Sequence, residues 1–222
     1  MIFTIRSIIN FVFPPKCIFC GGVLDFQKTL EICGSCYNTI TFTGSTSIRP
    51  DVRSHYDRVI SVCEYSGIVK AALIKYKFFN KAGYYRAFAG LLCDKVKKMT
   101  NAGEFDIIIS VPLHKNRERV RQYNQSGLIA KTLSRELKIP GSRLLVRTRD
   151  TNTQSLTSRK ERGSNVKGAF KVHCPQMIHG KSILLVDDIL TTGNTLDECS
   201  KVLKEAGARS ICAAVIAVSK KH

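Results

Sequence analysis

Two short stretches of the chain carry continuous apolar runs, within Asp106 to Val111 and Ser182 to Val186. Continuous apolar runs bounded by polar residues are the mark of strands buried on both faces of a sheet. Arg58 to Tyr65 and Ile211 to Val218 read as two further strands, and Arg143 to Arg147 as a short one. Between them the spacing changes to helical, over Val69 to Phe78, Tyr84 to Lys98, Ser126 to Leu137 and Leu196 to Ala206. Pro140-Gly141 closes the third of these. Strands alternating with helices predict an α/β fold, a parallel sheet flanked by helices. Asp150 to Val166 is long, polar and without periodicity, and a loop of that length in a compact domain reads as a functional lid.

The N-terminal pattern differs. Ile2, Ile5, Ile9 and Val12 recur at helical spacing, while Arg6 and Asn10 interrupt a run far short of the roughly 20 apolar residues that span a bilayer. A secretory signal would carry a charged lead and a small-residue cleavage site, whereas Pro14-Pro15-Lys16 follows here. The reading is an amphipathic helix packed on the body, with membrane-surface contact as the alternative, in a cytoplasmic protein with no transmembrane segment.

Cysteine usage sharpens the picture. Four of the nine cysteines form two Cys-x2-Cys clasps, Cys17 with Cys20 and Cys33 with Cys36. Such clasps turn two thiolates toward one tetrahedral ion, and two of them supply a closed structural zinc site. Gly21, Gly22 and Gly34 suit the tight turns of such knuckles, and a redox dithiol or a pair of disulfides is the competing reading. Thr41 to Pro50 is rich in Ser, Thr and Gly. The expected organisation is an N-terminal helix and small zinc module over 1–42, a linker over 43–56, and the α/β domain over 57–222.

The chain carries 35 Lys and Arg against 17 Asp and Glu, a net charge of +18, of which residues 1–50 hold +2. A field of that size attracts polyanions such as nucleic acid, polyphosphorylated metabolites or anionic lipid. Tyr76, Phe78, Phe79, Tyr84 and Tyr85 interleave with Lys75, Lys77, Lys81 and Arg86, a pattern that suits stacked single-stranded bases and equally suits core aromatics with snorkelling lysines.

The densest chemistry lies in ILLVDDILTTGNT at 183–195. A buried strand ends at Asp187 and Asp188, and a turn of Thr191, Thr192, Gly193, Asn194 and Thr195 opens a helix. Ligands of open parallel sheets bind at the carboxyl ends of strands. Free amides at a helix start attract phosphate, Gly193 permits close backbone approach, and the hydroxyls add donors. Adjacent carboxylates beside a phosphate cradle suit the vicinal hydroxyls of a sugar.

This segment resembles the phosphoribosyl-pyrophosphate (PRPP) motif of type I phosphoribosyltransferases. The resemblance implies that Asp187 and Asp188 hold the ribose 2′ and 3′ hydroxyls and that 191–195 cradle the 5′-phosphate. Pro112, Leu113, His114 and Lys115 resemble that family's pyrophosphate loop, with Arg117, Arg119 and Arg121 following. Arg159, Lys160 and Arg162 in the lid would close over the same phosphates, with Mg²⁺ accompanying PRPP.

The order of parts is similar to the ComF family: a four-cysteine module, VPLHKNRER at 111–119, YNQ at 123–125, QSL at 154–156, Arg162, Asn165-Val166, Ala169-Phe170 and the PRPP motif. Tyr123 stands where the family pattern leads us to expect Phe. The resemblance implies a zinc-module phosphoribosyltransferase acting in DNA uptake during natural competence, with single-stranded DNA and a competence helicase as partners. The alternative is an active phosphoribosyltransferase on an unidentified acceptor, without a direct DNA role.

Overall fold

The computed structural model describes residues 14–25, 30–44, 54–150 and 166–219. The N-terminal helix and the three lid cations Arg159, Lys160 and Arg162 lie outside them. In chain order the elements are α1 (Gly34–Asn38), β1 (Arg58–Glu64), α2 (Gly67–Phe78), α3 (Tyr85–Met99), β2 (Ile107–Ser110), α4 (Lys115–Arg121), α5 (Gln125–Leu137), β3 (Gly141–Ser142), β4 (Leu145–Arg147), β5 (Phe170–Val172), β6 (Ser182–Leu190), α6 (Asn194–Glu205) and β7 (Ser210–Val218).

Five strands form one parallel sheet in the order β1-β7-β6-β2-β3, while β4 and β5 form a separate antiparallel pair. Side chains alternate along a strand. Leu184 and Val186 of β6 therefore enter the core shared with α2, α3 and α5, and Ile183 and Leu185 enter the core shared with α6 and the β4–β5 pair. From β2 the chain crosses through α5 outward to β3, and from β6 it crosses through α6 the other way to β7. The two crossovers diverge, so a crevice opens between the carboxyl ends of β2 and β6, where such sheets bind ligands.

The cysteine module has no apolar interior to itself. Its Ile18, Ile32 and Ile40 belong to the core under α3. Leu30 lies so close to Gly90 that a Cβ there would stand 2.9 Å from Leu30 Cδ1. Thr41–Gly44, which runs into the stretch read as linker, is bound to the sheet edge. Phe42 bridges Cys63, the Thr43 amide donates to the Val62 carbonyl, and Lys95 Nζ donates to the carbonyls of Thr43 and Gly44. Past the undescribed residues, the Asp57 amide donates to the Ile211 carbonyl.

Candidate functional site

β6 runs on through both carboxylates to Leu190, because its pairing with β7 continues through Asp187↔Val215 and Leu190↔Val218. Beyond Val186 the strict alternation lapses, Ile189 packing on the core shared with α2, α3 and α5 and Leu190 on the core shared with α6. Asp188 is buried, and Lys77 of α2 places its Nζ 2.8 Å from Asp188 Oδ1. Asp187 Oδ1 accepts from Ser126 Oγ and from the Asp188 amide, both at 2.8 Å. Burial first, and then the neighbouring Asp188 charge, raise the Asp187 carboxyl to about 7 against the opposing pull of Lys77 and these two donors.

Ser126 reaches Asp187 because α5 is pinned to the end of β2. Asn124 caps that helix, its Oδ1 accepting from the Gly127 amide and its Nδ2 donating to the Val111 carbonyl. The Val111 amide donates in turn to the Val186 carbonyl, which sets Pro112, Leu113 and His114 beside the acidic end of β6. Tyr123, the departure from the expected Phe, donates its hydroxyl to the Tyr76 carbonyl and so ties α2 to the start of α5.

His114 caps α4, its Nδ1 accepting from the Asn116 amide at 3.3 Å. His114 Nδ1 and Arg117 Nε each lie 3.3 Å from Asp150, which also accepts from Asn116 Nδ2. Despite some desolvation, Asn116, His114 and Arg117 hold the Asp150 carboxyl below its ordinary range. Asp150 is the last described residue before the undescribed stretch 151–165, so the base of the lid candidate is fastened to the loop below it. Lys115 is exposed, and with Leu113, Arg143 and Arg147 it lines a cleft of about 180 Å³.

The turn after β6 leaves Thr191 exposed and Thr192, Gly193, Asn194 and Thr195 partly so. Gly193 has φ +83°, and a Cβ there would meet the Tyr56 hydroxyl at 3.1 Å. Only glycine fits both constraints. Asp197, one turn into α6, holds His55, accepting from its amide at 2.7 Å and lying 2.9 Å from its Nδ1.

The structure thus gathers the carboxylates, the threonine-rich turn and the 112–115 loop at one end of the sheet. Lys77 and Ser126 are site residues that sequence reasoning missed. Lys77 follows Leu73 by four on the buried stripe of Val69, Ala72, Leu73 and Tyr76. A lysine beside such a stripe needs a buried anion, and that was the available signal. The aromatic run divides. Tyr76 is core, its hydroxyl donating to the Gln125 carbonyl, whereas Phe78 and Phe79 are about two-thirds exposed, 65% and 64%.

The four cysteine sulfurs lie within 4.8 Å of one another, with Cys20 Sγ and Cys33 Sγ 3.8 Å apart. Sulfurs about 2.3 Å from a tetrahedral ion stand about 3.8 Å apart, so the cluster could hold a metal ion. Against the burial that would raise it, the amides of Cys20, Cys33 and Phe19 bring the Cys17 thiol down to about 6, which favours the ligating thiolate. Among the described residues no helix is long and apolar enough to cross a membrane.

Comparison with known proteins places this geometry. A family described as the phosphoribosyl transferase domain matches residues 124–222. The chain is 30% identical over 202 residues to Competence protein F of Haemophilus influenzae, covering 89% of this chain and 82% of that protein. It is 33% identical over 160 residues to DNA utilization protein YhgH of Escherichia coli O157:H7, covering 70% of each. Competence protein ComFC of Bacillus subtilis is 26% identical over 205 residues, covering 92% of this chain and 78% of that protein.

Proposed function

Because the chain belongs to the ComF family and is a competence-related, phosphoribosyltransferase-like protein, we propose that it binds PRPP at the end of β6 and handles single-stranded DNA during uptake in the cytoplasm. The observation that carries the reading is the motif 183–195 lying at the divergence of the two crossovers, with both carboxylates and the threonine turn on one strand end. Asp187 and Asp188 receive the ribose hydroxyls. The amides and hydroxyls of Thr191, Thr192, Gly193, Asn194 and Thr195 receive the 5′-phosphate. Leu113, His114 and Lys115 line the pyrophosphate side, and Arg159, Lys160 and Arg162 close over it.

In the transfer reaction an acceptor's lone pair forms the bond to the anomeric carbon. The carbon–oxygen bond to pyrophosphate breaks, and pyrophosphate leaves with the electron pair. Asp187 and Asp188 orient the ribose and set negative charge near the developing positive carbon, while the cations of the loop stabilise the leaving group. Mg²⁺, for which the hard oxygens of Asp187 and Asp188 are suitable neighbours, supplies charge neutralisation to the pyrophosphate when bound. The ion in the cysteine cluster is zinc, with a structural role, ligated by Cys17, Cys20, Cys33 and Cys36. A competence helicase is the protein partner.

Calorimetric titration with PRPP, with and without Mg²⁺, tests the site. Mg²⁺-sensitive binding is expected, lost in Asp187→Asn with Asp188→Asn while the protein stays folded. Undiminished PRPP binding by that double variant would remove the ribose assignment.

A further inference from the structure

Next to Lys77, the partner of Asp188, lies a cleft of about 480 Å³ built from the ends of two helices. Both helices stop there in the same way, α2 giving way to Asn80 at φ +51° and α4 to Gln122 at φ +64°. Both carry cations in their last turn, Lys75 and Lys77 in one, Arg119 and Arg121 in the other. Between them sit apolar side chains that folding leaves in water. Phe78 and Phe79 are largely exposed, and Val120 is 85% exposed. The Arg121 guanidinium stands 4.8 Å from the centre of the Phe78 ring, and its Nη1 donates to Gln125 Oε1, so this stack is held from behind.

Burying one phenylalanine side chain contributes roughly 1.5–3 kcal/mol, so two neighbouring rings kept in water await an occupant. A neutral planar molecule would use the rings and leave the cations unanswered. A duplex would answer the cations and keep its base faces stacked away from the rings. An unpaired strand satisfies both, since each base offers a flat face and each link a negative charge. The chain's surplus of +16 beyond residue 50 attracts such a polyanion.

We propose that this cleft and the helix ends flanking it form a single-stranded nucleic-acid subsite, in which bases stack on Phe78 in the cleft and on exposed Phe79 next to it in the chain, and the adjoining phosphates meet Arg121 in the cleft and Lys75 and Arg119 of the flanking helix turns. It rests on the DNA-handling reading above and adds where the strand lies. Lys77 and Phe78 are consecutive, so the residue on the ribose carboxylate and the residue under the base share one helical turn. A stacked base therefore lies in the space beside the ribose where a phosphoribosyl acceptor would sit.

Fluorescence anisotropy with a labelled oligothymidylate tests the proposal, using the full metal-loaded chain. Wild type should bind with an affinity that falls steeply as salt rises. The exposed double substitution Phe78→Ala with Phe79→Ala should weaken binding roughly tenfold or more, and Phe78→Tyr with Phe79→Tyr should retain it. Affinity for a duplex of mixed sequence should be the same in all three proteins. Equal oligothymidylate binding by wild type and the alanine variant would overturn the placement while leaving the DNA reading intact. No binding by wild type would sink that reading instead. A wild-type dimer dispersed by the alanine substitutions, with strand binding unchanged, would give the patch to a second copy of the chain.

Discussion

Lys77 Nζ lies 2.8 Å from Asp188 Oδ1, a cation from the end of one helix closing on a carboxylate that the strand end has buried. In the unliganded chain Lys77 therefore occupies the carboxylate proposed for the sugar, and on that proposal PRPP would displace it from Asp188. Removing one partner of a buried pair leaves an uncompensated charge. Lys77→Met should cost on the order of 3 kcal/mol in urea unfolding, and adding Asp188→Asn should return much of it. Additive effects in that cycle would mean the pair is not coupled.

Asp187 gives stability a pH dependence of unusual sign. Its carboxyl titrates near 4 when unfolded and is raised to about 7 in the fold. Between those values the folded chain holds a proton that the unfolded chain has released, so this group lowers stability as pH rises from about 4 to 7. Asp187→Asn should remove that slope and make the unliganded protein relatively more stable above pH 7. Identical stability–pH profiles for variant and wild type would show that Asp187 titrates normally.

The cysteine cluster and the sheet should melt together. Ile18, Ile32 and Ile40 share the core under α3, so loosening the cluster opens that core. Stripping metal with a chelator, or Cys20→Ser, should lower one unfolding transition by on the order of 5 °C or more. A separate early transition, with the main one unmoved, would show that the module stands alone.

Gly193→Ala should weaken PRPP binding by roughly tenfold or more, because a left-handed residue with a side chain costs about 1–2 kcal/mol and crowds the Tyr56 hydroxyl. Tyr56→Phe in the same protein relieves the crowding alone, and should rescue only in part. Calorimetric titration reads both, and full affinity in Gly193→Ala would show that the turn tolerates a change of shape.

What was legible in the sequence follows from where the burial lies. The runs around Ile107–Ser110 and Ser182–Val186 announced themselves because both their faces are covered. α4 did not, because Lys115–Arg121 buries nothing and is held by the His114 cap and the Asp150 cluster instead of an apolar stripe. β3 and β5 are too short to carry a period, and Phe170–Val172 is a strand only through its antiparallel pairing with Leu145–Arg147. Asp187 and Asp188 were legible as chemistry because they interrupt an apolar strand with charge. Lys77 and Ser126 were not, since each joins the site through a tertiary contact from a helix more than 60 positions distant, or, for Lys77, more than 100.

Asp187 and Asp188 stand one and two residues beyond the Ser110–Val186 rung that joins β6 to β2. One residue inserted or deleted between that rung and Asp188 would move both acids along the strand, away from Lys77 and Ser126. The place of the two carboxylates is thus written in the innermost ladder, the part of a fold slowest to exchange its amide hydrogens. The tips of α2 and α4 sit outside that ladder and are free to drift in sequence. Descendants of this chain can change what they admit beside the proposed ribose site while the two carboxylates stay where they are.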